Sequence, residues 1–429
     1  MITVPVDELP LSKIEKPKLF NITSNGISSY THGFFKYPCK FIPHIPRWAL
    51  NRYLKDKNSL VLDPFCGSGT TLVESALFGC SAIGVDFDPF SQLITRVKST
   101  PLNKNQFIKI RFKLSILFKH LDALKIIDED LIPAIPNIDL WFSRKACQDL
   151  ARIKQSIGWF IRDSDVACFE DFLEVCFGSI IRKVSFADNQ SPKPYVSGRI
   201  KKIPENPIEI FKKTVLANLS KLEEFSHNAK SNSNYIYRGD ARHLDRLRIK
   251  QRFGKRVDLA VTSPPYINAF DYVRSLKLEN LWLDLLEPDE LKEHTGNQIG
   301  TERVQFDPEI VDSMKSFSNL YKIFQKIGEV DPKRANIVMK YFYDMRLNML
   351  SVKNILKPNG VYCIVVGDSQ IRNIEIATYK YFIQIAEQVG FEVDSLFGYV
   401  IKNPYLRFPR KGRGGLIKID WVIALRKCQ

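Results

Sequence analysis

The stretch from Ser59 to Asp86 constrains the fold more than any other part of the chain. Ser59-Leu-Val-Leu-Asp63 is an apolar run of strand length closed by an acid. Pro64-Phe-Cys-Gly-Ser-Gly-Thr-Thr71 follows as a tight turn, and Leu72 to Phe78 reads as a helix that stops at Gly79. Ser81-Ala-Ile-Gly-Val-Asp86 is a second short strand, again ended by an acid. Strand, Gly-rich turn, helix and strand make one βαβ unit, which commits this part of the chain to a parallel sheet.

The turn has the physics of a seat for a nucleotide-like ligand. Gly67 and Gly69 let the backbone come close and adopt positive φ. The free N–H groups of the following helix suit a carboxylate as well as a phosphate. An acid at the position of Asp86 can accept both hydroxyls of a ribose. A dinucleotide fingerprint would need its third glycine at position 72, which is Leu72, and no Gly-Lys-Ser/Thr follows to make a Walker A loop.

The rest of the chain alternates in the same way. Residues 1–58 read as a loose lead-in followed by a short helix from Pro46 to Tyr53. Residues 101–230 carry long helical patterns, such as Ile108 to Leu124 and Phe169 to Lys183, broken by the polar Asp188 to Tyr195 loop. Strand texture returns at Tyr235, and Val257 to Thr262 is a short apolar strand. Leu286 to Glu309 has no clear apolar period and reads as a loop or lid. Lys340 to Ile355 is a helix, Lys357 to Gly360 a turn, and Val361 to Val366 a strand. A helix from Thr378 to Val389 stops at Gly390, and strand-like runs at Ser395 to Lys402 and Ile417 to Leu425 close the chain. The expected architecture is α/β: a Rossmann-like, doubly wound, mostly parallel sheet. Residues 1–100 and 231–429 would build it, and 101–230 would be a mainly helical insertion.

Composition narrows the function classes. The longest apolar runs are of strand length, well short of the roughly 20 residues of a membrane span, and Met1 to Pro10 lacks a signal pattern, so a cytoplasmic location is expected. The eight cysteines form no CxxC pair and no His stands at zinc-finger spacing, so they are expected to be reduced thiols, with no metal. A net charge of +16 favours a polyanionic partner over a membrane. Arg238 to Arg256 holds eight Lys or Arg in 19 residues, and Arg407-Phe-Pro-Arg-Lys-Gly-Arg413 mixes basic and aromatic groups. Each is either a nucleic-acid contact or a solvated face.

A second motif, Thr262-Ser-Pro-Pro-Tyr266, ends a strand. Neither Pro264 nor Pro265 has an N–H, so a backbone carbonyl and the Ser263 hydroxyl can offer two acceptors to the two hydrogens of an amino group. Tyr266 adds a flat ring on which a base could stack.

With both motifs present, the chain resembles the amino-methyltransferases of DNA, the N4-cytosine and N6-adenine enzymes of restriction–modification systems. The resemblance covers roughly residues 31–100 and 235–429. It implies a class I methyltransferase fold and S-adenosylmethionine as cofactor. The loop from Asp63 through Phe65, Gly67, Ser68, Gly69, Thr70 and Thr71 matches the family's cofactor loop. Ser263, Pro264, Pro265 and Tyr266 match its catalytic tetrapeptide. Thr31 to Pro43, with Tyr37 and Phe41, is similar to the segment that closes over the methionine end of the cofactor. Asp86 sits where the ribose acid belongs, and Asp240 where an acid meets the adenine amino group.

A serine at the head of the tetrapeptide resembles the N4-cytosine subgroup, with N6-adenine the alternative. The resemblance implies double-stranded DNA as substrate, a flipped target base and a partner endonuclease. The cofactor motif precedes the catalytic one, whereas many N4-cytosine enzymes have the reverse order. The 101–230 insertion matches no standard subgroup and is the expected target-recognition region, with 286–335 sharing that role.

Rival readings are weaker. C5-cytosine methylation needs a Pro-Cys nucleophile, and Pro38-Cys39 stands ahead of the cofactor loop; Cys66 reads as a packing residue. His32 and His44 read as structural. The tRNA guanine-N2 enzymes share the loop but usually carry Asn or Asp before Pro-Pro-Tyr and a separate N-terminal RNA-binding domain, for which residues 1–30 leave too little room. A silent nucleic-acid-binding protein of the same fold would not need both motifs intact.

Overall fold

The computed structural model describes every residue except 1, 5–8, 15, 23–25, 162–166, 190, 192, 200, 232, 268–270, 402–416 and 429. Its strands are β1 (Ile2–Val4), β2 (Lys18–Ile22), β3 (Leu60–Asp63), β4 (Ser81–Asp86), β5 (Asn234–Arg238), β6 (Val257–Thr262), β7 (Leu356–Gly367), β8 (Ser369–Ile371), β9 (Ile374–Ile376), β10 (Phe391–Val400) and β11 (Ile419–Lys427). Nine of them form one sheet in the order β1-β2-β10-β11-β7-β6-β3-β4-β5, and β8 and β9 form a small hairpin. In the sheet, β11 runs antiparallel to β10 and β7, while the other neighbours pair parallel.

From β3 the chain moves outward to β4 and β5, then returns to the other side of β3 for β6 and β7. Strand order therefore reverses between β3 and β6. In open α/β sheets a crevice opens at the carboxyl ends of the strands at such a reversal. The sheet is the Rossmann-like, doubly wound one expected.

Side chains alternate across each strand, and both faces are covered. Leu60, Leu62, Ile83, Val85, Ala260, Tyr362 and Ile364 share a core with the helices Pro332–Ile355 and Thr378–Val389. Val61, Ala82, Leu259, Val261, Cys363 and Val365 face His44–Tyr53 and Leu72 of the helix Thr70–Phe78.

Residues 101–230 are mainly helical, with helices at Lys104–Ala123, Arg144–Ile161, Ala167–Ile181 and Pro207–Asn228. Their core is shared with Val73 and Ala76 of Thr70–Phe78 and with Phe90, Leu93, Ile94 and Val97 of Pro89–Ser99. The insertion thus forms an outer layer resting on the two helices nearest the glycine turn.

Three local readings are corrected. The lead-in is not wholly loose, because β2 pairs with β10 and extends the sheet. Leu286 to Glu309 contains the helix Glu290–Asn297, and two further helices, Pro308–Met314 and Ser318–Gly328, follow. Lys357 to Gly360 lies inside β7, as a bulge: Val257 pairs with Leu356 but Leu259 with Val361, and Asn359 takes φ 58° there.

The contact between insertion and sheet domain is tight at Gly178. A Cβ there would lie 2.4 Å from Phe90 Cζ, on a ring with no exposed surface. Gly178→Ala would normally gain about 1 kcal/mol of helix propensity, but overpacking here costs about 1–3 kcal/mol. The urea midpoint of Gly178→Ala should fall; a rise would contradict this packing.

Candidate active site

The glycine turn is held from behind. Gly67 and Gly69 take φ 50° and 75°. A Cβ on Gly69 would lie 3.0 Å from Thr95 Cα, and one on Gly67 3.1 Å from the Tyr37 ring, so side chains at either position would fill the cradle. Thr95 Oγ1 donates to the Gly67 carbonyl at 2.8 Å, and the fully buried Lys98 Nζ donates to the Ser68 carbonyl. No side chain caps the helix that begins at Thr70, which leaves its first amides toward the cleft.

The acid ending β4 is bound into this turn. The Gly67 N–H donates to Asp86 Oδ2 at 2.8 Å, and the Asp88 N–H to Asp86 Oδ1 at 2.9 Å. A carboxylate has about four acceptor positions, so two remain for ligand hydroxyls. Burial, and then the charge of Asp88, push the Asp86 carboxyl up to about 7 against the two N–H donors.

The second turn lies at the end of the adjacent strand. Asp63 joins the two. Its Oδ2 accepts from Thr71 Oγ1 and its Oδ1 from Thr262 Oγ1, both at 2.6 Å, with the Phe65 N–H at 3.1 Å. Asp63 is buried, and loss of water pushes its carboxyl up to about 6 despite these donors.

One cleft takes residues from both turns. Tyr37, Phe41, Phe65, Gly67, Ser68, Thr70, Asp86, Asp240, Ser263 and Pro265 line it. Asp63, Gly69, Thr71, Pro264 and Tyr266 are not among the residues that line it. Two hydroxyls, Ser68 Oγ and Ser263 Oγ, are buried and find no hydrogen-bond partner among the described residues. Leaving such groups unpaired is costly, and a ligand atom that donates or accepts would satisfy each.

Asp240 is ionised and firmly placed. Arg242 grips both its oxygens at 2.7–3.0 Å and continues to Asp344 and the Asn297 carbonyl. These bonds outweigh burial and hold Asp240 below its usual value. Glycine cradle, uncapped helix, two acids and orphan hydroxyls fit a ligand with a ribose, an amine-bearing base and a carboxylate, as S-adenosylmethionine has.

Several lining residues escaped sequence reading. Phe87 and Asp88 follow Asp86 directly, and their position alone could have marked them. Lys40 lies within the Thr31 to Pro43 segment. Tyr272 and Val273, and Asn297, Gln298 and Ile299 of the expected lid, carry no motif. His32 is structural: Nε2 meets Glu74 Oε1 at 2.9 Å, and Arg47 holds the same carboxylate. Cys66 packs against Gly84.

The Arg238 to Arg256 cluster is partly committed inward. Arg242 serves Asp240, Arg256 the Asn354 and Leu356 carbonyls, and Lys255 the Asn58 carbonyl. Arg407 to Arg413 lies outside the described residues. Among the described residues no three His, Cys, Asp or Glu gather as a metal site, and no helix is long and apolar enough to cross a membrane.

Residues 16–95 match the family model described as DNA methylase. The chain is 25% identical to Type II methyltransferase M.MvaI of Kocuria varians, over 95% of this chain and 91% of that one. It is 25% identical to Type II methyltransferase M.MjaII of Methanocaldococcus jannaschii, over 70% and 75%. A tRNA (guanine(10)-N2)-dimethyltransferase of that archaeon is 27% identical over 31% of this chain and 38% of its own.

Asp86 gives a pH test of the site. A carboxyl raised in the fold adds stability that is complete below its unfolded value, roughly 4, and is lost as pH climbs through the folded value of about 7. Asp86→Asn does not titrate. In urea unfolding it should gain on the parent protein from pH 4 to pH 8; a difference flat with pH would contradict the assignment.

Proposed function

We propose that this chain is a DNA amino-methyltransferase and that it methylates the exocyclic N4 of cytosine in double-stranded DNA. The observation that carries the reading is Ser263 Oγ, an orphan buried hydroxyl in the wall of the cleft that also holds the glycine turn. S-adenosylmethionine, when bound, supplies an already activated methyl group. Asp86 is suited to accept its ribose hydroxyls and Asp240 its adenine amino group. The turn at Gly67 to Thr70 and the segment with Tyr37 and Phe41 would hold its methionine end.

Ser263 Oγ and the Pro264 carbonyl would accept the two hydrogens of the target amine. That loosens the delocalisation of its lone pair and aims it for in-line transfer. The amine is paired and stacked in a duplex, so the base must flip out, with Tyr266 flanking it. A serine heading the tetrapeptide supports cytosine over adenine, and the charge of +16 supports DNA as the polyanion. The likeness to Type II methyltransferases supports a role beside a cognate endonuclease.

Incubation with plasmid DNA and labelled methyl donor, then digestion to nucleosides, tests the reading. Label should appear in N4-methylcytosine. N6-methyladenine would replace the cytosine assignment, and label confined to RNA, or absent, would overturn the reading. Ser263→Ala should lower kcat by about 10²–10³-fold, as loss of an oriented partner does, with cofactor Kd little changed.

A further inference from the structure

Tyr266 is fixed by an acid from the far side of the sheet. Its Oη donates to Asp420 Oδ1 at 3.1 Å, and Tyr399 Oη donates to Asp420 Oδ2 at 3.0 Å. Asp420 is 5% exposed. It belongs to β11, and β7 stands between it and the turn after β6.

Register explains how it reaches. Asp420 pairs with Tyr399 on one side and with Gly367 on the other. Residues opposite one another in a sheet point to the same face. At Gly367 there is no side chain, and a Cβ there would lie 2.4 Å from Ile417 Cγ2 and 3.2 Å from Asp420 Oδ1. The glycine leaves room beside β7 for both Ile417 and the carboxylate that meets the tyrosine. Thr262 pairs with Ile364, so continuing the register brings the proline turn alongside Gly367.

We propose that Asp420 is a positioning residue that acts through Tyr266, holding the ring of the Ser-Pro-Pro-Tyr turn at the angle the target base requires, with Tyr399 as its second anchor and Gly367 leaving it room. A tyrosine that only packed would not need its hydroxyl. Here the hydroxyl is spent on a carboxylate that burial alone disfavours, and which two phenols satisfy together. The proposal rests on the reading above, in which Tyr266 flanks the flipped base.

The test compares Tyr266→Phe, Asp420→Ala, Asp420→Asn, Gly367→Ala and the double variant Tyr266→Phe with Asp420→Ala. kcat on plasmid DNA and Kd for S-adenosylmethionine are measured for each. Tyr266→Phe and Asp420→Ala should each lower kcat by about 10- to 100-fold, the scale of a misplacement near one ångström. Kd should stay within about twofold, and the double variant should match the singles, since coupled groups are not additive. Asp420→Asn, which keeps an acceptor, should recover much of the rate, and Gly367→Ala should resemble Asp420→Ala.

Multiplying losses, an unchanged kcat in Asp420→Ala, or a parallel loss of cofactor binding would overturn the proposal. If Asp420→Ala does not fold, Asp420→Asn and Gly367→Ala decide it on the same criteria. If the parent protein methylates no DNA, the functional reading fails separately. The positioning claim is then read from ring-13C tyrosine spectra. The Tyr266 signal, identified by its loss in Tyr266→Phe, must shift in Gly367→Ala, and a stationary signal would refute it.

Discussion

The site depends on one buried carboxylate. Asp63 ends β3 and accepts hydroxyls from Thr71, eight residues along the chain, and from Thr262, 199 residues along. A buried charge without donors is costly, and removing one donor from a satisfied carboxylate costs more than a surface bond. The hydrogen bonds therefore lock the end of β6 to the start of the helix after the glycine turn. Their effect reaches function because Ser263 follows Thr262 directly and Ser68 lies three residues before Thr71.

A second layer of charge surrounds this node. Burial raises both Asp86 and Asp88, and the charge of Asp88 further opposes ionisation of Asp86, beside an uncapped helix start that favours negative charge. Arg242 ties Asp240 to the helix Pro332–Ile355 through Asp344 and to the end of the helix Glu290–Asn297 through the Asn297 carbonyl. The last strand of the cofactor half and the segment that roofs the cleft are thereby linked by one guanidinium.

Much of this was legible from residues 59–86 and 257–266, because short apolar strands, glycine turns and terminal acids are local signals. The helix Thr378–Val389 was equally clear, its αL glycine at Gly390 ending it as the sequence suggests. Less legible were features decided by distant partners. The strand Lys18–Ile22 exists because β10 offers an edge to pair with. The helix Pro332–Ile355 begins eight residues earlier than its apolar pattern, at Asp331, whose side chain caps it before Pro332. The helix Glu290–Asn297 has a single leucine among polar residues, so its period is weak. That Asp63 serves two threonines, and that Tyr266 reaches Asp420, follow from register across the sheet, which a single chain's sequence does not display.

A double-mutant cycle on Thr71→Val and Thr262→Val, read as unfolding free energy, tests the central claim most directly. With Asp63 joining the two turns, the cycle should give a coupling of about 1 kcal/mol or more. Losses that sum to within about 0.5 kcal/mol would mean that the turns stand independently, and the account of one shared site would fall.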